Sequence, residues 1–89
     1  MQHDLKTWPE SFEPIYDGRK LFEFRQDDRG YLVGDRLLLR EYLPEKGEYT
    51  GRELGASVTH CLYGPAFGVP EGYVVMSIFP EQYAPLSLR

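Results

Sequence analysis

The spacing of hydrophobic residues changes at Gly18, and this change predicts a helix followed by strands. Before Gly18, the segment WPESFEPIYDG places Phe12, Ile15 and Tyr16 on one helical face. Pro9 suits the first turn of a helix, where its missing N–H is not needed, and Gly18 suits a helix end. We therefore expect one N-terminal helix in this segment.

After Gly18 the hydrophobic period becomes two, which is typical of a β-strand. Phe22 and Phe24 point to one side of this strand, whereas Glu23 and Arg25 point to the other. Four further segments also predict strands. They are residues 3–7, an apolar strand centred on residues 37–39, a return strand after the turn at residues 44–47, and a closing strand at residues 73–79.

The return strand contains two glycines, Gly51 and Gly55, that predict a bulge or bend. The strand is then expected to resume at residues 58–62. A chain of 89 residues is one domain, which we assign to residues 1–79. Residues 80–89 hold two prolines and are expected to form a C-terminal tail.

These elements predict a mainly β (α+β) fold, a small closed or half-closed β-barrel of about five to six strands. The N-terminal helix would plug one side of the barrel. Closing or nearly closing the sheet would also cover the exposed edges of so many strands.

The charge of the chain limits its partners. Net charge is −4, from ten Lys plus Arg against fourteen Asp plus Glu. Binding to long double-stranded nucleic acid usually needs a basic face, so we do not expect it here. A pocket for one base or a short single strand depends only on local groups and stays open as a hypothesis.

The location of the chain is expected to be cytoplasmic. The single cysteine, Cys61, fits a reducing compartment. No apolar run approaches the roughly 18–20 residues of a membrane span, so no membrane association is expected. We also expect no secretory signal, because the segment MQHDLKTWPE lacks a positive region followed by an apolar one.

A motif of spaced charges follows the predicted helix. Gly18, Lys20, Glu23 and Arg25 form G-x-K-x-x-E-x-R within LKTWPESFEPIYDGRKLFEFR, ahead of VGDRLLLREY and the closing GYVVMSIF. In this order the segments resemble an ASCH domain of the PUA-like superfamily, small β-barrels associated with RNA. The resemblance covers roughly residues 4–79 and is closest to short bacterial and phage members whose role is unassigned.

The resemblance implies a cleft between helix and barrel that binds RNA or a nucleotide-like small molecule. Lys20 would contact a phosphate or a base carbonyl, and Glu23 would accept a hydrogen bond from an amine or ring N–H. Arg25 would orient Glu23 or contact the ligand. Lys6 and Trp8, which lead into the helix, could join them, with Trp8 as a stacking surface.

The same residues also allow purely structural roles. Glu23 and Arg25 can form an ion pair at one end of the barrel without any ligand. Lys20 can be a solvated cation beside the negative end of the helix dipole. Trp8 is expected to be a core aromatic residue. Both interpretations of this cluster stay open on the sequence alone.

Two further functions are open. Some ASCH proteins resemble small amidohydrolases that deacetylate acetylated cytidine, in which a threonine nucleophile follows the lysine by three residues. Glu23 occupies that position here, so catalysis, with Lys20 and Glu23 as candidates, is the second hypothesis. A protein-interaction adaptor that uses Tyr42 and Tyr49 of the hairpin is the third. Glu71 lies in a loop, and nothing in the sequence places it in the cleft.

No metal or cofactor is expected. His3, His60 and Cys61 lack the paired spacing of a structural zinc site. His60 and Cys61 are neighbours on a predicted strand and face opposite sides, so they make a poor nucleophile–base pair. Cys61 is expected to be a core residue.

Overall fold

A computed structural model describes residues 1–83 as a curled, five-stranded half-barrel with one short helix. The sheet order is β1-β3-β4-β5-β2, so β1 and β2 are its edge strands; β1 and β3 are parallel and the other pairs antiparallel. The elements are β1 (Gln2–Thr7), α1 (Pro9–Tyr16), β2 (Phe22–Gln26), β3 (Arg36–Leu43), β4 (Glu48–Tyr63), β5 (Tyr73–Pro80) and a short 3₁₀ turn (Glu81–Tyr83).

The core lies between the concave face of the sheet and α1. Alternate residues of β1, β3 and β5 point inward, as period two requires. Phe12 and Ile15 of α1 are fully buried against them, as predicted, whereas Tyr16, predicted on the same face, is 43% exposed and stacks on Phe12 with ring centroids 5.8 Å apart. The buried apolar residues are Leu5, Phe12, Ile15, Tyr31, Leu37, Leu39, Leu54, Ala56, Val58, Val74, Met76 and Ile78.

The helix begins at Pro9 and is shorter than the segment that predicted it. Gly18 follows the helix with a left-handed backbone, φ +85°, which confirms the prediction that it suits the helix end. The backbone N–H groups of Arg19 and Lys20 both donate to the carbonyl of Pro14, at 2.8 and 2.9 Å. The chain therefore folds back over the end of α1 before it enters β2.

The return strand corrects part of the sequence prediction, because β4 is one continuous strand of 16 residues. Gly51, at φ +94°, lies where the β3–β4 register shifts opposite Arg40 and Tyr42, so the predicted bulge is present there. A second shift, between β4 and β5, follows Val58.

Gly55 does not interrupt β4. A glycine is needed at this position because neighbouring side chains leave no room for a Cβ atom. A Cβ atom at Gly55 would lie 2.4 Å from Nη2 of Arg36 and 2.5 Å from Oε1 of Glu81. Arg36 and Glu81 form an ion pair across this position, with Nη2 donating to Oε1 at 2.9 Å. Gly55 thus leaves room for an ion pair that fixes the chain after β5.

The predicted tail begins inside ordered structure. Pro80 is the last residue of β5, and residues 81–83 form the 3₁₀ turn. The hydroxyl of Tyr83 donates a 2.8 Å hydrogen bond to the carbonyl of Tyr16 at the end of α1. The remaining residues of the predicted tail, 84–89, lie outside the described part of the chain. Within residues 1–83, no helix has the length and hydrophobicity needed to cross a membrane.

Candidate functional site

The two edge strands of the half-barrel are joined by arginine side chains. Nη2 of Arg25, on β2, donates to the carbonyl of Lys6 at 3.1 Å and to Oγ1 of Thr7 at 3.2 Å, both on β1. Nη1 of Arg29 donates to the carbonyl of Asp4 at 3.1 Å. Backbone carbonyls that β1 would otherwise leave open are therefore bonded to guanidinium groups. We call this junction of β1 and β2 the seam.

A cavity of about 540 Å³ opens at the seam, between β1, β2 and the first turn of α1. Its volume lies within the roughly 300–1,000 Å³ of small-molecule sites. We call it the cleft. Residues from three separate elements line it: Lys6, Thr7, Trp8, Glu10, Ser11, Lys20, Glu23, Phe24, Arg25 and Gln26. All five residues that the sequence singled out as a site are in this list.

The alternation predicted for β2 is present, and its charged side faces inward. Glu23 is 3% exposed, whereas Phe22 and Phe24 are 48% and 51% exposed. A carboxylate in such a place is costly unless it is paired. Arg25 supplies one partner, because its Nε donates to Oε2 of Glu23 at 2.7 Å.

The second oxygen of Glu23 is left available to the cleft. Nζ of Lys20 lies 3.7 Å from Oε1, which is an ion-pair distance but too long for a hydrogen bond. No fully buried side-chain N or O atom in residues 1–83 lacks a hydrogen-bond partner. Since Oε1 accepts no hydrogen bond from these residues, it must be reachable by solvent. It is a negatively charged acceptor between two cations.

Lys20 is held in the cleft, so the alternative interpretation of Lys20 as a solvated helix-end cation is wrong. Its side chain is 20% exposed, and Nζ donates a 3.1 Å hydrogen bond to Oγ of Ser11 on α1. Nζ also lies 5.0 Å from the ring centroid of Phe22. Lys20 takes this position because the chain folds back over the end of α1 and directs the lysine side chain towards Ser11.

Trp8 is 55% exposed, so its predicted place in the core is wrong. Trp8 precedes the first residue of α1, and the buried face of the helix is already filled by Phe12 and Ile15. Trp8 lines the cleft together with Phe24. The sequence analysis did not single out Phe24, although period two had placed it on the side opposite Glu23. Two exposed aromatic rings thus border the charged cluster.

Lys6 lies at the rim of the cleft and points towards the β3–β4 hairpin. Its Nζ lies 4.6 Å from the ring centroid of Tyr42 and makes no hydrogen bond or ion pair within residues 1–83. Tyr42 and Tyr49 pack edge to face at 5.0 Å, and the guanidinium of Arg40 lies 4.0 Å from the ring centroid of Tyr49. Glu71 is not among the residues that line the cleft.

A second ionic cluster, missed in the sequence, ties the hairpin to α1. Arg52 donates to both oxygens of the buried Glu41 at 3.0 Å, and it also donates to Glu13 of the helix. These hydrogen bonds from Arg52 hold the pKa of the Glu41 carboxyl below its usual range. The guanidinium lies 5.0 Å from the ring centroid of Phe12. No local pattern could reveal it, because Arg52 is 11 residues from Glu41 and 39 residues from Glu13 in sequence.

The turn before β3, which contains Gly34 and Asp35, is anchored to β1 by a histidine. His3, 5% exposed, pairs through Nε2 with Oδ2 of Asp35 at 2.8 Å. This hydrogen bond lowers the pKa of the Asp35 carboxyl. The other histidine, His60, is exposed, while its neighbour Cys61 is partly buried against the core. Within residues 1–83, no three His, Cys, Asp or Glu side chains are grouped to hold a metal ion.

Comparison with known proteins places the chain in a family. It matches DUF3850, described as a domain of unknown function, over residues 2–78, and it therefore belongs to that family. A protein of Escherichia phage P2, described as an uncharacterized 12.9 kDa protein in the GpA 3′ region, is 39% identical over 57 residues. That match covers 64% of this chain and 50% of the phage protein, so the chain aligns with half of its relative's length.

Proposed function

We propose that this member of the DUF3850 family is a non-catalytic module that binds RNA or a nucleotide-like small molecule in the cleft. The observation that carries the proposal is the arrangement around Glu23. One carboxylate oxygen is free to accept a hydrogen bond, two cations flank it, and exposed rings of Trp8 and Phe24 border the same cavity.

Each of these groups suits one part of a nucleobase. A carboxylate oxygen accepts from an exocyclic amine or a ring N–H, and the Lys20 ammonium donates to a base carbonyl or a phosphate. Trp8 and Phe24 can stack on the base, which is worth about 1–3 kcal/mol per stacked base. An unpaired base can present both its edge and its face in this way, whereas a base inside a duplex cannot.

We further propose that the fold is of the ASCH kind within the PUA-like superfamily and that the protein works in the cytoplasm. The order of elements supports the fold assignment, with a strand and a short helix ending at Gly18 before the motif residues on β2. The net charge of −4 argues for a single nucleotide or an unpaired strand over a long duplex.

Calorimetric titration tests this function. The wild-type protein is titrated with the four ribonucleosides, their monophosphates and short single-stranded RNAs of each base. We expect at least one ligand to bind, and Lys20→Ala to weaken it about tenfold or more, as expected for a hydrogen bond to a charged group. Lys46→Ala, in the hairpin turn, is the matched control and should bind as the wild type does. If no ligand binds, or if both variants bind equally, the proposal fails.

A hydrolase is the second candidate, because the structure brings a hydroxyl group to Lys20 from another element. Oγ of Ser11 lies 3.1 Å from Nζ of Lys20 and lines the cleft. A serine next to a lysine is one form of activated nucleophile. However, Nζ of Lys20 donates its hydrogen bond to Oγ of Ser11, whereas a general base would have to accept the proton of that hydroxyl. We therefore place binding first.

Incubation with N4-acetylcytidine separates the two functions. For a binding module we expect no cytidine or acetate above background, even at high protein concentration and long times. Product that appears with the wild-type protein and disappears with Ser11→Ala would establish the hydrolase instead. Product that persists in Ser11→Ala and is lost in Glu23→Gln would point to a water activated by Glu23.

A further inference from the structure

A second cavity, of about 370 Å³, adjoins the cleft and is lined mainly by cations, although the protein as a whole has a net charge of −4. The two cavities share Lys6 and Arg25 in their linings, so they are neighbours along the seam. The second cavity adds Arg29 and Arg40 to these two cations, and Asp4 is the one carboxylate that lines it.

This concentration of cations is unusual for an acidic chain. Four of the ten lysines and arginines line one cavity, although carboxylates outnumber cations fourteen to ten overall. Lys6 of β1 and Arg40 of β3 are also direct partners in the strand register, with their side chains on the same face of the sheet. Like charges placed opposite each other destabilise a sheet. Glu53 of β4, the register partner of Arg40, offsets part of that cost through its ion pair with Arg40, and a bound anion would offset the rest.

The arginines keep donors available for such an anion. Nε of Arg40 donates to Glu53 at 2.9 Å, and its two terminal nitrogens make no hydrogen bond within residues 1–83. Arg29 uses Nη1 for the carbonyl of Asp4, and its Nη2 makes no hydrogen bond within the same residues. A guanidinium with free terminal N–H groups matches the spacing of phosphate oxygens.

We propose that the second cavity binds the phosphate group of a ligand whose base lies in the cleft. The inference rests on the proposed function and narrows it: the ligand is a phosphorylated nucleoside, free or as one unit of RNA, and not a bare base or nucleoside. Lys6 and Arg25 lie between the two subsites, where they contact the sugar–phosphate connection. Arg29 and Arg40 bind the phosphate oxygens.

Affinities for matched ligands test this assignment. The dissociation constant is measured calorimetrically at low salt for each nucleoside, its 5′- and 3′-monophosphates and the corresponding trinucleotide RNA. We expect a phosphorylated form to bind about tenfold or more tightly than its nucleoside, as charge-assisted hydrogen bonds predict. In the variant Arg29→Gln/Arg40→Gln this advantage should disappear, while the affinity for the nucleoside stays unchanged. Arg19→Gln, whose side chain lies outside both cavities, should keep the wild-type ratio.

The different ligands distinguish a free nucleotide from RNA as the source of the phosphate. They also separate a failure of the phosphate subsite from a failure of the base cleft. A gain with a monophosphate identifies a free nucleotide, and a gain confined to the trinucleotide identifies RNA. If nucleosides and their phosphates bind equally, or if the double variant keeps the wild-type ratio, the phosphate subsite is wrong and the base cleft stands. If inorganic phosphate shifts the Nε resonances of Arg29 and Arg40 but no nucleoside or nucleotide binds, the cavity is an anion site alone, and both the base cleft and the nucleotide phosphate subsite are wrong. Single variants with unchanged melting temperatures replace the double variant if it unfolds.

Discussion

Arg25 and Glu23 lie two residues apart on β2, and Nε of Arg25 donates a 2.7 Å hydrogen bond to Oε2 of Glu23. The other end of the same guanidinium bonds to Lys6 and Thr7 on β1. Arg25 therefore orients the carboxylate of the cleft and also closes the seam between the edge strands. Effects on ligand binding and on stability must accordingly be measured separately for this residue.

Replacing Arg25 by lysine should loosen the seam while keeping the positive charge. An ammonium group lacks the planar fork that bonds to β1 and β2 at the same time. We expect Arg25→Lys to lower the free energy of unfolding by about 1–2 kcal/mol, the contribution of one or two lost hydrogen bonds. Urea denaturation measures this change, and amide hydrogen exchange in β1 should become faster. Arg19→Lys, at an exposed ion pair, is the control; equal stability of the two variants would show that the seam does not depend on the guanidinium.

Replacing Glu23 by glutamine should weaken ligand binding by about tenfold or more, since a hydrogen bond to a charged group is lost. The side chain keeps its size, but the two neighbouring cations, Lys20 and Arg25, lose their counter-charge. Calorimetry on the best ligand of the panel gives the ratio. Glu45→Gln, in the exposed hairpin turn, is the matched control. Unchanged affinity in Glu23→Gln would mean that the carboxylate serves the fold alone.

Trp8 is the single tryptophan of the chain, so its fluorescence reports directly on the cleft. We expect a bound base to stack on the indole ring and to quench this emission. Trp8→Ala should weaken binding by about 1–3 kcal/mol, the value of one stacked base, and Trp8→Phe should recover part of it. Because the side chain is 55% exposed, the urea midpoint should change little in either variant. Saturating binding without any change of emission would contradict the stacking role.

Protonation of Glu41 at acidic pH should lower the free energy of unfolding. The folded protein holds the pKa of this carboxyl below its usual value of 4.5, because Arg52 donates hydrogen bonds to it. A lowered pKa stabilises the fold above the unfolded value, and this contribution is lost as the pH falls through the folded pKa. We expect Glu41→Gln to cost about 1–3 kcal/mol at pH 7. Its difference from wild type should shrink as the pH falls below about 4.5, the ordinary value for this group.

Urea denaturation between pH 3 and pH 7 measures this difference. The lowered pKa values of Asp35 and Glu81 contribute equally to both proteins and cancel. Glu45→Gln should follow the wild-type curve at every pH. A difference between Glu41→Gln and wild type that does not depend on pH would show that the Arg52 ion pair adds no stability.

Local periodicity was enough to predict the helix, the succession of strands in sequence, and which residues of β2 share a face. It could not decide which face of β2 points inward, since an edge strand with phenylalanines on one side and charges on the other normally buries the phenylalanines. The seam reverses this preference: Arg25 must reach β1, and Glu23 turns inward with it.

Which residues line the cleft was largely predictable, and the geometry of the cleft was not. Lys20, Glu23 and Arg25 are close in sequence, so a local motif could group them. The contact between Ser11 and Lys20 depends on how the chain folds back after α1, and the exposure of Trp8 depends on which side chains fill the core first. The cations of the second cavity come from three separate segments, so no spacing rule could collect them.

The most direct test of the account is chemical-shift mapping on the ¹⁵N-labelled protein with the nucleotide and single-stranded RNA panel. We expect a ligand to shift the amide resonances of Lys20, Glu23 and Arg25 and the indole N–H of Trp8, and we expect the shifts of Glu23, Arg25 and Trp8 to be much smaller in Lys20→Ala at the same subsaturating ligand concentration. Resonances of the hairpin turn around Lys46 should stay in place. No shift in the cleft with any ligand, or shifts confined to Tyr42 and Tyr49, would contradict the central claim that the cleft is the binding site.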